Sequence, residues 1–158
     1  PTGQGEGATA NAAGSLQTTT ADYARFVAAI LNGAGLKKET LRQMLAPQSK
    51  VDESCRVCVS GAPTKLSAEV AWGLGWGLQT TGEGKSFWHW GDNGNNKAFV
   101  VAFENRKDGL VLLTNGANGL LLLRDVLADG LGGRHPATEW LNPGRIDSPA
   151  RILLKAIV

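Results

Sequence analysis

The chain is poor in most of the residue types that announce a specialised class of protein. In 158 residues it has two Cys, two His and one Tyr. The cysteines form a lone Cys55-x-x-Cys58 pair, while His89 and His135 stand far from it at irregular spacing. A structural zinc site needs four ligands, and a thioredoxin-like pair needs a βαβ setting; neither is in the sequence. The pair therefore reads as two loop cysteines or a local disulfide, not as a metal or redox centre. Runs of Lys or Arg and basic–aromatic interleaving are missing, which excludes the usual nucleic-acid footprint. The formal net charge of +2 favours no charged partner. The longest apolar runs, Leu110–Leu113 and Leu120–Leu123, are far too short to span a bilayer. No internal repeat is present. The sequence opens on Pro1-Thr2-Gly3 without Met and closes on the apolar run Ile152–Val158, so a piece of a longer protein is expected at both ends.

What is present suits a single globular domain. The hydrophobic fraction is 42% and the charged fraction 19%, ordinary values for a folded soluble chain. The 21 glycines imply many tight turns and close backbone approaches. Residues 1–11 show no apolar period and read as loop. Thr19-Thr20-Ala21-Asp22 fits a capping box in which the Thr19 hydroxyl and Asp22 carboxylate satisfy free N–H groups. Tyr23, Phe26, Val27, Ile30 and Leu31 then mark one helical face, closed by Asn32-Gly33. A shorter helix is predicted over Lys38–Leu45, ended by Pro47.

Beyond a loop the period shortens. Val70–Leu78 alternates large residues with Gly or Ala, as a strand does under a close neighbour. Further strands are predicted at Ser86–Trp90, Ala98–Glu104 and Leu110–Thr114, with turn signals between them, which makes an antiparallel meander. A helix follows over Asn118–Leu131. The fold class expected is α+β: an antiparallel sheet of about three or four strands flanked by helices. Residues 1–48 form its helical segment, 49–69 a loop, 70–133 the sheet and final helix, and 142–158 a tail or linker, with one domain over 1–141.

The run Trp88-His89-Trp90-Gly91-Asp92-Asn93 carries the most chemistry. Alternation sets Trp88 and Trp90 on the face opposite His89, where indoles suit core and rim packing. Asp92 and Asn93 read as turn formers, and His135, beside Pro136, as solvated surface. Imidazole is the side chain best poised for proton transfer near neutral pH.

Taken in order, Ala12-Ala13-Gly14-Ser15-Leu16, the Thr-capped helix, Trp72-Gly73-Leu74-Gly75-Trp76, His89-Trp90-Gly91 and Val111-Leu112-Leu113-Thr114-Asn115 resemble the C-terminal part of the serine beta-lactamase-like family. That family includes class C beta-lactamases, D-alanyl-D-alanine carboxypeptidases and esterases. The resemblance covers roughly residues 11–131. It implies a five-stranded antiparallel sheet, a second helical lobe and a site between them, here incomplete. In such enzymes a serine of an SxxK motif attacks an acyl carbon, a Tyr-x-Asn or Ser-x-Asn element aids proton transfer, and a Lys-Thr-Gly or His-x-Gly strand faces the serine.

By this resemblance His89 contacts substrate or the proton network, Gly91 lets the acyl group approach, and the Asp92 backbone N–H is an oxyanion donor. No cofactor and no metal are implied; the partner is a small-molecule acyl substrate of the parent protein. Relatives occur in the bacterial periplasm or exterior and in the cytoplasm. The departures are equally definite. Ser15, Ser49, Ser54, Ser60, Ser67, Ser86 and Ser148 all lack Lys three residues on, and Tyr23 lacks the following Asn. The chain is thus expected to be part of a serine acyl hydrolase that holds the third-motif strand without the nucleophile, inactive alone. The alternative is a non-catalytic binding or interaction module on the same scaffold. If strands are missing, an exposed sheet edge should promote self-association.

Overall fold

The computed structural model describes residues 9–50 and 68–141. Cys55 and Cys58, the first eight residues and the apolar C-terminal run lie outside the described residues. Helix α1 spans Thr20–Leu31 and α2 spans Lys38–Met44, each within a residue of the predicted bounds. Thr19 caps α1 by accepting the Asp22 N–H at 3.1 Å. The other half of the expected capping box is not made. Asp22 instead accepts the Thr19 hydroxyl at 2.8 Å and the Arg25 guanidinium at 2.5 Å, a nearer cation having taken its carboxylate. Thr19→Ala is expected to destabilise the protein by about 1 kcal/mol in urea unfolding, the usual worth of such a cap.

The sheet has six strands, more than the three or four read from the sequence, all antiparallel in the order β1 to β6. Two differences account for this. Ser49–Lys50, inside the predicted loop, forms the short strand β1 against β2 at Val70–Trp72. The stretch read as one strand over Val70–Leu78 is a hairpin, β2 turning into β3 at Gly77–Thr81. Gly75 makes the turn at φ +77, and the Gly73 N–H bonds the Trp76 C=O at 2.8 Å. Glycine alternation looks the same in a strand and in a hairpin, so sequence spacing alone missed the bend.

Strands β4 (Gly84–Asn93), β5 (Asn96–Phe103) and β6 (Asp108–Thr114) complete the predicted meander. The last predicted helix is present as a 3-10 turn at Gly119–Leu122 running into α3 at Leu123–Gly130. A short α4 at Pro136–Leu141 was not foreseen. It is tied to the sheet where the buried Gln79 side chain accepts the Ala137 N–H at 2.9 Å. His135 precedes it and is buried, with Nε2–H donating to the Gly132 C=O at 2.8 Å, so its reading as surface is corrected.

Alternation along the strands feeds two cores, one on each face of the sheet. On one side Trp88, Phe99, Val101 and Phe103 pack under Leu123 and Leu127 of α3 and Trp140 of α4. On the other, Leu78, Phe87, Val100 and Ala102 pack under Val27, Ile30 and Leu31 of α1. The expected α+β arrangement of an antiparallel sheet between helices is what forms.

Candidate functional site

Every residue that the sequence nominated lies in the last five positions of β4, and the ladder dictates where their backbone groups point. The Thr80 N–H bonds the Glu69 C=O at 3.0 Å, and the Trp76 C=O accepts Gly73, so the even residues here bond β2. Antiparallel partners alternate between exchanging hydrogen bonds and not doing so. The odd residues of β3 therefore bond β4, the last of them being Gly77 opposite Trp88. Trp90 and Asp92 follow Trp88 in the same phase, with N–H and C=O turned the same way. By then β3 has bent back toward β2. Beyond Trp88, the β3-facing edge of β4 has no strand partner among the described residues, and the Asp92 N–H points along that side.

His89 sits half-buried at this edge. Its Nδ1 lies 2.8 Å from the Trp90 C=O. A carbonyl only accepts, so Nδ1 donates, and Nε2 lies outside this bond. Three indoles surround the imidazole: Trp72 at 5.8 Å and Trp76 at 6.3 Å meet it edge-on, and Trp90 stacks at 5.4 Å. They fix the ring's attitude and lower the local dielectric, which strengthens a hydrogen bond made by Nε2. Trp72 and Trp76 entered the sequence reading only as ends of a motif; their contact with His89 follows from the β2–β3 bend, which the sequence did not disclose.

Gly91 is not demanded by its neighbours. A Cβ there would stand 3.5 Å from that of Ala98, ordinary contact. What the glycine does is add no side chain beside His89. Segment 11–15 also reaches the site: Gly14 lies against the Asn93 amide, with 3.4 Å from a Cβ built at Gly14 to Asn93 Nδ2. This segment is folded on itself by Asn11, whose C=O accepts the Gly14 and Ser15 N–H groups. Tyr23 belongs elsewhere, packed with the α1 core, where half-burial pushes its phenol above the ordinary range.

Asp92 and Asn93, read as turn formers, are strand residues. The turn itself is Gly94-Asn95, with Gly94 at φ +61 in the first central position, as a type II′ hairpin requires. The Asp92 side chain therefore lies on the face opposite His89. There it makes an ion pair with Lys97, its cross-strand partner. The pair lines a pocket of about 320 Å³ with Trp90, Asn118, Leu120 and Leu121. Among the described residues no group of three His, Cys, Asp or Glu side chains is arranged to hold a metal ion. No helix among them is long and apolar enough to cross a membrane.

Chemically, this edge offers an imidazole held to the strand through Nδ1, a glycine beside it and an outward amide. Compared with known protein families, residues 1–129 match the family model described as Beta-lactamase. No curated protein and no solved structure matches the chain.

Proposed function

The chain belongs to the beta-lactamase family, and from that premise we propose that it supplies the strand wall of a serine acyl-hydrolase site whose nucleophile lies outside these residues. The observation that supports this reading most is the phase of β4. It sets His89, Gly91 and the Asp92 N–H close together on an edge without a strand partner among the described residues. In this role His89 Nε2 contacts substrate or the proton network. The Asp92 N–H stabilises the oxyanion that develops as an acyl carbon is attacked, where a fixed donor helps most. The substrate is a small molecule with an amide or ester bond.

A serine without an adjacent base is an ordinary alcohol, and none of the serines of this sequence has the lysine that an SxxK motif provides. The isolated chain is therefore expected to keep its mass unchanged after exposure to a fluorophosphonate or a penicillin. A stoichiometric adduct on serine would overturn the claim that the nucleophile is missing. If an SxxK element is encoded in the same reading frame, the longer protein should label. Its His89→Ala variant should then hydrolyse esters roughly 100-fold more slowly, the low end for losing a proton-transfer group. Full activity in that variant would remove His89 from the mechanism. The absence of SxxK from the chain also supports a second reading, a binding module that keeps the wall and dispenses with the chemistry; a reading frame without the element favours it.

β6 ends the sheet among the described strands. Its apolar Leu110–Leu113 edge carries none of the charges or prolines that discourage pairing, which supports self-association of the isolated chain.

A further inference from the structure

Resting on the reading of Asp92 as an oxyanion donor, we propose that Lys97 is a positioning residue, clasping the Asp92 side chain from behind and so holding the Asp92 N–H still at this edge of β4. Asp92 and Lys97 face each other across the β4–β5 ladder. They fall in the phase that exchanges no backbone hydrogen bonds, because the groups of Asp92 turn outward. The pairs on either side, Gly91 with Ala98 and Asn93 with Asn96, are in the phase joined through the backbone. At the level of Asp92 the contact between carboxylate and ammonium is the cross-link. One residue thus presents its amide to the front of the hairpin and its side chain to the back.

The clasp differs from the ion pairs within α1 and α2. In Arg25–Asp22 and Arg42–Glu39 both side chains are more than half exposed, at 77% and 58% and at 70% and 59%. Lys97 is only 10% exposed, against 53% for Asp92. Its stem lies in the wall of the reverse-face pocket beside Trp90 and Leu120, and its amine returns to Asp92 Oδ1. A surface pair wanders among rotamers, whereas a lysine enclosed along its length and bonded at its tip has one arrangement. A donor acts as preorganised only when its supporting contacts are fixed in this way.

The test is a titration of the ¹⁵N-labelled full chain with methylphosphonate, a tetrahedral anion, followed at the Asp92 amide resonance. The wild-type protein should show a saturable shift there. Lys97→Met should weaken the response roughly 5-fold, the scale of one hydrogen bond, and Lys97→Arg should restore most of it. Lys97→Gln replaces the Met variant if that one unfolds, judged by its thermal midpoint. Asp92→Asn keeps the N–H, cuts the clasp and removes a negative charge. Were Lys97 acting only as a positive charge, this change would tighten anion binding. Positioning requires it to weaken binding as Lys97→Met does, with the double variant no worse than either alone. Tighter binding by Asp92→Asn, or an unchanged response in Lys97→Met, overturns the inference while leaving the oxyanion reading intact. A wild-type amide that does not respond overturns that reading and the inference with it.

Discussion

Trp88→Ala is expected to bring the protein to the edge of unfolding. The indole is fully buried, with Trp72, Trp140, Trp90 and Phe99 around it at ring separations of 5.4, 5.5, 5.9 and 6.3 Å. Removing a core tryptophan costs about 3–5 kcal/mol in lost transfer energy and cavity. Domains of this size hold only about 5–15 kcal/mol in all. The same ring can be attacked from its other side. A Cβ at Gly77 would stand 2.4 Å from Trp88 Cε2, so Gly77→Ala drives a methyl into the indole and is expected to cost about 1–3 kcal/mol. Urea unfolding followed by far-UV circular dichroism measures both. A loss under about 1 kcal/mol for Trp88→Ala would show that the aromatic cluster is not what holds α4 to the sheet.

Gly73→Ala is expected to cost about 2–3 kcal/mol by overpacking, and to disturb the site as well as the fold. Its Cβ would fall 2.3 Å from the Met44 carbonyl oxygen. That oxygen is main chain and cannot swing aside as a side chain would. It also accepts the Leu74 N–H at 3.0 Å, clamping the tip of the β2–β3 hairpin to the end of α2. Moving the tip moves Trp76, which rests edge-on against His89. Two other glycines calibrate the measurement. Gly75 has open space but sits at φ +77, so alanine there should cost about 1 kcal/mol of left-handed strain. Gly82 has open space and no such dihedral, and its replacement should fall within about 0.5 kcal/mol of neutral. Finding Gly82→Ala more damaging than Gly73→Ala would refute the clamp.

The readability of this chain followed the length of its periodic segments. The apolar face from Tyr23 to Leu31 and the cap at Thr19 were enough to place α1, because a helix is specified by residues within its own span. The strands β4 to β6 were legible for the same reason: their alternation runs for several residues between clear turns. What failed was whatever depended on a partner distant in sequence. The bend at Gly73–Trp76 is held by Met44, β1 exists only through β2, and the burial of His135 comes from its place between α3 and α4. The site divided in the same way. His89, Gly91 and Asp92 could be named from a short motif, and alternation placed His89 opposite Trp88 but did not foresee that the Trp90 ring stacks on it. That the amide of Asp92 lies beyond the β3 ladder, however, depends on where β3 ends, and the clasp by Lys97 depends on a two-residue turn, Gly94-Asn95, in place of the residues 91–97 left between the predicted strands.

The order of the strands also has a consequence in time. Each strand of the sheet pairs with its neighbour in sequence, and from β2 to β6 the connections between them are short. The hairpin that bears His89 and the Asp92–Lys97 clasp turns on two residues, Gly94-Asn95. Such a hairpin zips in about 1–10 μs, without waiting for α4 to dock. The strand and the clasp behind it are thus encoded in one uninterrupted stretch of chain, although the indoles that hold His89 come from the preceding hairpin.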